Sequence, residues 1–150
     1  MSLNVGIIGC GGIANGKHLP SLQKINEVNI VAFCDIDIEK AQLAAKEYGT
    51  DNAKVYEDYQ SLLKDDAIDV IHVCTPNSSH KELTVASLDA GKHVMCEKPM
   101  AKTTEEAQEM IEAAKRNGKK LTIGYQNRFR PDSQYLHKAT ERGDLGDIYF

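Results

Sequence analysis

Residues 5–14, VGIIGCGGIA, decide the fold, because a short apolar run breaks into glycines and then resumes. The run over residues 3–9 predicts a buried strand. Gly9 allows a tight turn out of that strand, and Gly11 has no side chain to keep a phosphate away from the main chain. Ala14 is small enough for a following helix to pack closely against the strand. The spacing favours a diphosphate bound at the start of that helix over a plain tight turn.

An acidic residue follows the second apolar run. Asp35 stands in the segment CDID, where a carboxylate can accept both hydroxyl groups of an adenosine ribose and would repel a 2′-phosphate. The next residue is Ile36 rather than arginine or lysine, so the sequence favours NAD over NADP. The alternative is that Asp35 caps the next helix, a role that Asp37 could also fill.

Strand and helix patterns alternate along the rest of the chain. Strands are predicted at 3–9, 28–35, 69–75, 92–97 and 120–125, with a weaker one at 53–56. Helices are predicted after the glycine turn and at 37–48, 57–64, 78–90, 103–117 and 132–142. Gly49, Gly91 and Gly118 end three of them, and Thr103 with Glu106 forms a capping box. This order predicts an α/β fold with a three-layer, doubly wound parallel sheet.

Two further segments end strands at the same edge of that sheet. In CTPNSSH (74–80), Thr75 and Pro76 would lead the chain over the crevice, while Asn77 and Ser78 could simply cap a helix. His80 would either touch the ligand or lie at the surface or in a cap.

In CEKPM (96–100), the Lys98 ammonium could stabilise a developing alkoxide beside a nicotinamide. The alternative is a solvated loop whose turn is fixed by Pro99.

The segments GIIGCGGIA, CDID, CTPNSSH, CEKPM and GYQNRF, in this order, resemble the Gfo/Idh/MocA family of NAD(P)-dependent oxidoreductases. The resemblance covers almost the whole chain and implies a Rossmann fold and hydride transfer with sugars or polyols such as inositols. It implies that Lys98 is catalytic. It also implies cofactor binding at Gly9, Gly11, Gly12, Ile13, Ala14, Asp35, Thr75, Pro76, Asn77, His80, Glu97, Lys98, Asn127 and Arg128. For Asn127 and Arg128 the alternative is a salt bridge within a loop.

The resemblance also implies a division of the chain. Residues 1–123 would form the NAD-binding domain, and 124–150 would begin a second domain, with a strand opening at IYF (148–150). In the family that second domain supplies an Asp and a His for proton transfer and much of the substrate pocket. We therefore expect a truncated chain that binds cofactor but lacks the full catalytic site. No histidine or aspartate here takes those roles, and His137 is expected to be exposed.

Composition limits the remaining classes of function. The net charge of −4, with scattered basic residues, argues against nucleic-acid binding and against a polybasic membrane patch. No signal peptide or membrane span is predicted, so a cytoplasmic protein is expected. The four cysteines have no metal-site spacing and are expected to be reduced, mostly buried, and to line one edge of the sheet.

Three other expectations concern function and assembly. The complete protein is expected to be a homo-oligomer that acts on a small-molecule sugar or polyol. A non-catalytic NAD-binding sensor remains an alternative, as does a methyltransferase. A methyltransferase, however, would not explain the Glu-Lys-Pro segment.

Overall fold

A computed structural model describes residues 2–149 and contains one parallel sheet of six strands in the order β3-β2-β1-β4-β5-β6. The strands are β1 (Leu3–Ile8), β2 (Val28–Cys34), β3 (Lys54–Tyr56), β4 (Val70–Val73), β5 (His93–Cys96) and β6 (Leu121–Ile123). Every predicted strand is therefore present, including the weak one. The strand order reverses at β1, which has β2 on one side and β4 on the other, and ligands of such sheets bind outside the carboxyl ends at this point.

The helices lie close to their predicted positions. They are α1 (Leu19–Leu22), α2 (Ile38–Tyr48), α3 (Tyr59–Leu63), α4 (His80–Asp89), α5 (Thr104–Arg116) and α6 (Pro131–Glu141). A π-helical turn, Ala14–His18, precedes α1, and 3₁₀ turns occupy Asn77–Ser79 and Gln126–Phe129. Because the first of these 3₁₀ turns takes residues 77–79, α4 begins two residues later than predicted.

Helices cover both faces of the sheet, so the predicted three layers are confirmed. On one face, Leu19 and Leu22 of α1 and Ala41 of α2 pack with Ile7 and Phe33 of the strands. The opposite core combines side chains of α3, α4 and α5 with the other face of the strands: Leu62, Leu88, Met110, Ile71 and Val73. The continuous apolar runs of the strands reflect burial on both faces.

The glycines that end helices do so for two different reasons. Gly91 and Gly118 have φ values of 78° and 61°, the left-handed conformation expected after a helix. Gly49 also ends its helix, as predicted, but with φ −75° and ψ 161° it does not adopt the left-handed conformation. A Cβ on Gly49 would lie 2.6 Å from the Ala45 carbonyl oxygen and 2.7 Å from the Ala53 Cβ. Lack of space, not backbone conformation, requires glycine at this position.

The capping box of α5 is confirmed with a small change. Thr103 Oγ1 accepts the Glu106 N–H at 3.2 Å, as predicted. The Glu106 carboxylate accepts the N–H of Lys102 rather than that of Thr103. The first contact uses an amide group that the start of a helix leaves without a partner, and the second fixes the residue before the cap.

The last part of the described chain has an exposed apolar side. Tyr135 and Leu136 of α6 are exposed, whereas Ala139 is buried. Ile148 and Tyr149 form no strand, so the predicted strand opening is absent at these two residues. Its last residue, Phe150, lies outside the described residues. The division at residues 123 and 124 stays a prediction. None of the helices within residues 2–149 is both long and apolar enough to cross a bilayer.

Candidate functional site

A crevice of about 680 Å³ lies at the carboxyl ends of the strands, where the strand order reverses. Its walls include residues from the loops after β1, β2 and β4: Gly9, Gly11, Asp35, Ile36, Thr75 and Pro76. Sequence analysis assigned all of these residues except Ile36 to one binding site, and the sheet brings them together at this crevice.

Gly9 and Gly11 serve the crevice in different ways. Gly9 has φ +93°, and a Cβ there would lie 2.9 Å from the Cys74 carbonyl and from Thr75 Cγ2. Glycine is therefore required at Gly9 by both conformation and space. A Cβ on Gly11 would meet nothing within 4 Å, so this position opens onto free space.

The turn after Gly9 leaves amide groups free for an anion. Within residues 2–149, no protein group accepts a hydrogen bond from the N–H of Gly11, Gly12 or Ile13. The Asn15 side chain donates to the carbonyl oxygens of Cys10 (2.7 Å) and Gly11 (3.1 Å), so the carbonyl groups have partners while these amides do not. Free amides at a helix start favour a bound phosphate. Sequence analysis did not identify this role of Asn15.

Asp35 is fixed by two main-chain hydrogen bonds. Its Oδ2 accepts the Cys10 N–H at 2.7 Å, and its Oδ1 accepts the Asp37 N–H at 2.9 Å. The second bond fixes the turn before α2, but the N-cap residue of α2 is Asp37, so the alternative in which Asp35 caps this helix is wrong. Each oxygen retains a lone pair for a ribose hydroxyl. The Asp37 side chain makes no capping bond, and instead an ion pair with Lys40 lowers the pKa of the Asp37 carboxyl.

Negative charge dominates the wall near Asp35. Glu57, Asp58 and Glu82 also line the crevice, and Lys40 is the one basic residue among those that line it. Burial, together with the charges of Asp58 and Asp35, raises the pKa of the Cys34 thiol to about 12. The Lys40 ammonium lies 3.1 Å from the Asp37 carboxylate and is partly neutralised by it.

The segment after β4 differs in part from expectation. Thr75 and Pro76 lie on the crevice wall, whereas Asn77 is exposed and does not line it. Neither Asn77 nor Ser78 makes the helix-capping hydrogen bond considered for them. The Ser79 hydroxyl lies 2.8 Å from Thr75 Oγ1 and 2.9 Å from the Pro76 carbonyl oxygen, so it stabilises the turn instead.

His80 connects two loops. Its side chain is buried, with Nδ1 2.7 Å from the Pro99 carbonyl oxygen and Nε2 2.8 Å from the Thr75 carbonyl oxygen. The surface position considered for His80 is therefore wrong. Both ring nitrogens already have protein partners, and contact between His80 and a cofactor stays a prediction.

The segment after β5 carries the candidate catalytic residue. The Lys98 side chain is exposed, and its main-chain N–H donates to Glu97 Oε2 at 3.0 Å. The other oxygen of the buried Glu97 carboxylate lies 2.8 Å from His18 Nε2. The peptide bond between Lys98 and Pro99 is cis.

Asn127 and Arg128 lie exposed on the 3₁₀ turn after β6. No carboxylate within residues 2–149 pairs with the Arg128 guanidinium, so the proposed loop salt bridge is not formed. Their contact with a cofactor stays a prediction. His137, expected to be exposed, is exposed on α6.

The residues that sequence analysis missed are His18 and His72. Their Nδ1 atoms lie 3.0 Å apart, and burial, with a smaller effect of His18, lowers the pKa of His72 to about 4. His72 is the polar residue between Ile71 and Val73 of β4 and faces the opposite side of the sheet from them. That one polar position in an apolar run was the only available signal in the sequence.

The four cysteines are buried at the carboxyl edge of the sheet, as expected. Burial raises the pKa of the Cys10 thiol to about 12 and of Cys96 to about 11, and it also raises the pKa of Cys74. These thiols stay protonated near neutral pH and are poor nucleophiles. Within residues 2–149, no three His, Cys, Asp or Glu side chains are placed to hold a metal ion together.

Comparison with protein families gives a match over most of the chain. Residues 3–125 match the family model GFO_IDH_MocA, described as an oxidoreductase family with an NAD-binding Rossmann fold. Among curated proteins, D-glucoside 3-dehydrogenase of Escherichia coli is 43% identical over 147 residues, which are 98% of this chain and 41% of that protein. Inositol 2-dehydrogenase of Salmonella paratyphi B is 37% identical over 148 residues, 97% of this chain and 44% of that protein.

Solved structures agree with this match. The WlbA dehydrogenase of Bordetella pertussis, in complex with NADH and UDP-GlcNAcA, superimposes with a TM-score of 0.90 at 30% identity, over 99% of this chain and 42% of that one. KijD10, a 3-ketoreductase of Actinomadura kijaniata in complex with NADP, gives a TM-score of 0.90 at 26% identity, over 99% of this chain and 46% of that one. The chain thus spans less than half the length of these proteins.

Proposed function

Because this chain belongs to the Gfo/Idh/MocA family of oxidoreductases, we propose that it binds NAD and forms part of an enzyme that oxidises a secondary hydroxyl of a sugar or polyol. The observation that carries this proposal is that main-chain amides without acceptors lie beside a carboxylate held in place by hydrogen bonds. The amides of Gly11, Gly12 and Ile13 are open to a diphosphate, and Asp35 is held beside them by the Cys10 N–H. One dinucleotide would use both features.

The charge of the crevice supports NAD over NADP. A 2′-phosphate on the ribose would approach the Asp35 carboxylate, with Glu57, Asp58 and Glu82 on the same wall. The one lysine there, Lys40, is paired with Asp37. Among the similar structures, WlbA is in complex with NADH and KijD10 with NADP, so our preference for NAD rests on the local charge of this crevice.

The relatives support the class of substrate. The curated names describe dehydrogenases of D-glucosides and of inositol, which are cyclic compounds with several secondary hydroxyl groups. In the proposed reaction a substrate carbon gives up hydride to the cofactor, and its hydroxyl proton passes to a base that the family's second domain would supply, which leaves a ketone. NAD supplies the hydride acceptor when bound. The exposed Lys98 ammonium would stabilise the alkoxide that develops on the substrate oxygen.

Calorimetry with the 150-residue chain tests the cofactor. We expect NAD to bind at least tenfold more tightly than NADP, and Gly11→Leu to abolish the heat of NAD binding. Because a Cβ at Gly11 meets no protein atom within 4 Å, we expect this variant to retain the melting temperature. Gly16→Leu is the matched control, since Gly16 is equally open. Tighter binding of NADP, or of S-adenosylmethionine, would overturn the cofactor proposal.

Hydride transfer needs a separate assay in the protein that carries this chain. We expect absorbance at 340 nm to rise with NAD and either myo-inositol or a methyl D-glucoside, and Lys98→Ala to lower the rate at least 100-fold. Tight NAD binding without turnover of any cyclic polyol would instead support the non-catalytic NAD-binding module.

A further inference from the structure

A buried polar cluster lies on the face of the sheet that carries α1, beside the catalytic segment. His18, at the end of the π-helical turn, contacts Glu97 with Nε2 at 2.8 Å and His72 with Nδ1 at 3.0 Å. The His18 side chain is 7% exposed and that of Glu97 is 11% exposed. All three residues line a cavity of about 330 Å³, which Ile13 of the glycine turn also lines.

The Glu97 carboxylate is confined on three sides. Oε1 faces the His18 imidazole, and Oε2 accepts the Lys98 N–H at 3.0 Å. On a third side lies Gly124, where a Cβ would be 3.1 Å from Oε1 and 3.3 Å from Cδ. Any movement of this carboxylate therefore affects the main chain at Lys98.

The hydrogen atoms of the cluster follow from its chemistry. An ionised carboxylate only accepts hydrogen bonds, so in the contact with an ionised Glu97 the His18 ring donates from Nε2. The low pKa of His72 keeps that ring neutral near pH 7, and one proton then satisfies the contact between the two Nδ1 atoms. The contacts run from His72 to His18, from His18 to the Glu97 carboxylate, and from that carboxylate to the Lys98 amide.

We propose that His18 and Glu97, with Gly124 packed against the carboxylate, are positioning residues that hold the main chain of Lys98 where its ammonium reaches the nicotinamide end of the cofactor. This inference rests on the proposed function of the crevice and of Lys98. Small displacements of a catalytic group carry large costs, so a positioning contact of this kind affects function without touching the ligand. His72 supports His18 from behind.

The test compares two ligands of the 150-residue chain. ADP keeps the adenosine and the diphosphate but lacks the nicotinamide ribose, whereas NADH contains both ends. We expect Lys98→Ala, His18→Leu and Gly124→Ala each to raise the Kd for NADH about fivefold and to change the Kd for ADP less than twofold. His18→Gln, whose amide can replace Nε2–H as the donor to Glu97, should restore binding of NADH.

Matched controls separate this role from general stability. Gly16→Ala adds the same methyl group at a glycine with no neighbour within 4 Å, and His137→Gln replaces an exposed histidine. Both should leave both Kd values unchanged. In the double variant His18→Leu with Lys98→Ala, we expect no loss beyond that of Lys98→Ala alone, because His18 acts through Lys98.

Each other outcome has a definite meaning. If neither ADP nor NADH binds, the proposed function fails. If Lys98→Ala weakens NADH but His18→Leu and Gly124→Ala do not, the function stands and the positioning role is refuted. Additive losses in the double variant, or equal losses for both ligands, would also refute it.

Discussion

Acid should destabilise this fold through His72, and the effect can be worked out from its surroundings. His72 is half-buried on β4, and its Nδ1 lies 3.0 Å from that of His18. Burial lowers the pKa of His72 from 6.5 to about 4. In the unfolded chain the imidazole is solvated, and its pKa returns to about 6.5. Between these two values the unfolded state binds more protons than the folded state.

The sign and size of the effect follow from that difference. Because the unfolded state takes up the extra proton, the free energy of unfolding falls as the pH drops below about 6.5. A pKa of about 4 in the folded state gives a loss of about 2 kcal/mol between pH 7 and pH 5, and about 3 kcal/mol by pH 4. A loss of this size is a substantial part of the roughly 5–15 kcal/mol that stabilises an ordinary domain.

Urea unfolding followed by circular dichroism at pH 7, 6 and 5 measures this loss. The comparison is with His72→Asn, whose amide occupies the position of Nδ1 and does not titrate. His72→Asn should start less stable at pH 7 but lose about 2 kcal/mol less than the wild type on acidification to pH 5. His137→Gln, at an exposed histidine, is the control and should follow the wild type.

The wild type and His72→Asn could instead lose the same free energy of unfolding between pH 7 and pH 5, to within about 0.5 kcal/mol. That result would show that the fold does not lower the pKa of His72. A proton NMR titration gives an independent check. The His72 ring proton should keep the shift of a neutral imidazole down to pH 5, and a midpoint near 6.5 would refute the reasoning.

Three other predictions concern stability and reactivity. Gly49→Ala forces a Cβ to within 2.6 Å of the Ala45 carbonyl oxygen and should cost about 1–3 kcal/mol in urea unfolding, whereas Gly16→Ala should cost nothing. Thr103→Ala removes the cap of α5 and should cost about 1 kcal/mol in the same assay; a loss below about 0.3 kcal/mol would contradict the cap. The four buried thiols should resist Ellman's reagent at pH 8 in the folded chain and react fully in urea, and rapid reaction without urea would contradict their burial.

The part of the site that sequence could predict depends on neighbours along the chain. Gly9 and Gly11 belong to one turn, and their roles follow from what a glycine permits there. Asp35 was predictable because parallel strands end at one edge of a sheet, so an acid after β2 must lie beside a turn after β1. The order of strands and helices followed from the same periodic patterns.

The remainder depends on contacts between distant residues. His18 and His72 are 54 positions apart, and His18 and Glu97 are 79 apart. Their contact requires the order of strands β1, β4 and β5 and the exact length of the π-helical turn, which no local pattern encodes. Gly49 shows the limit in part, because Phe33, 16 positions away, crowds it together with the nearby Ala45 and Ala53.

The bond between Asp35 and the Cys10 N–H has a consequence for redesign. Engineers who wish to change a dehydrogenase from one nicotinamide coenzyme to the other begin by replacing this acid with a small or basic residue. Here the same carboxylate holds the loop that would seat the diphosphate, at 2.7 Å from the Cys10 amide. Such a replacement would weaken the binding of both coenzymes unless the new side chain also accepts a hydrogen bond from that amide, as serine or asparagine could.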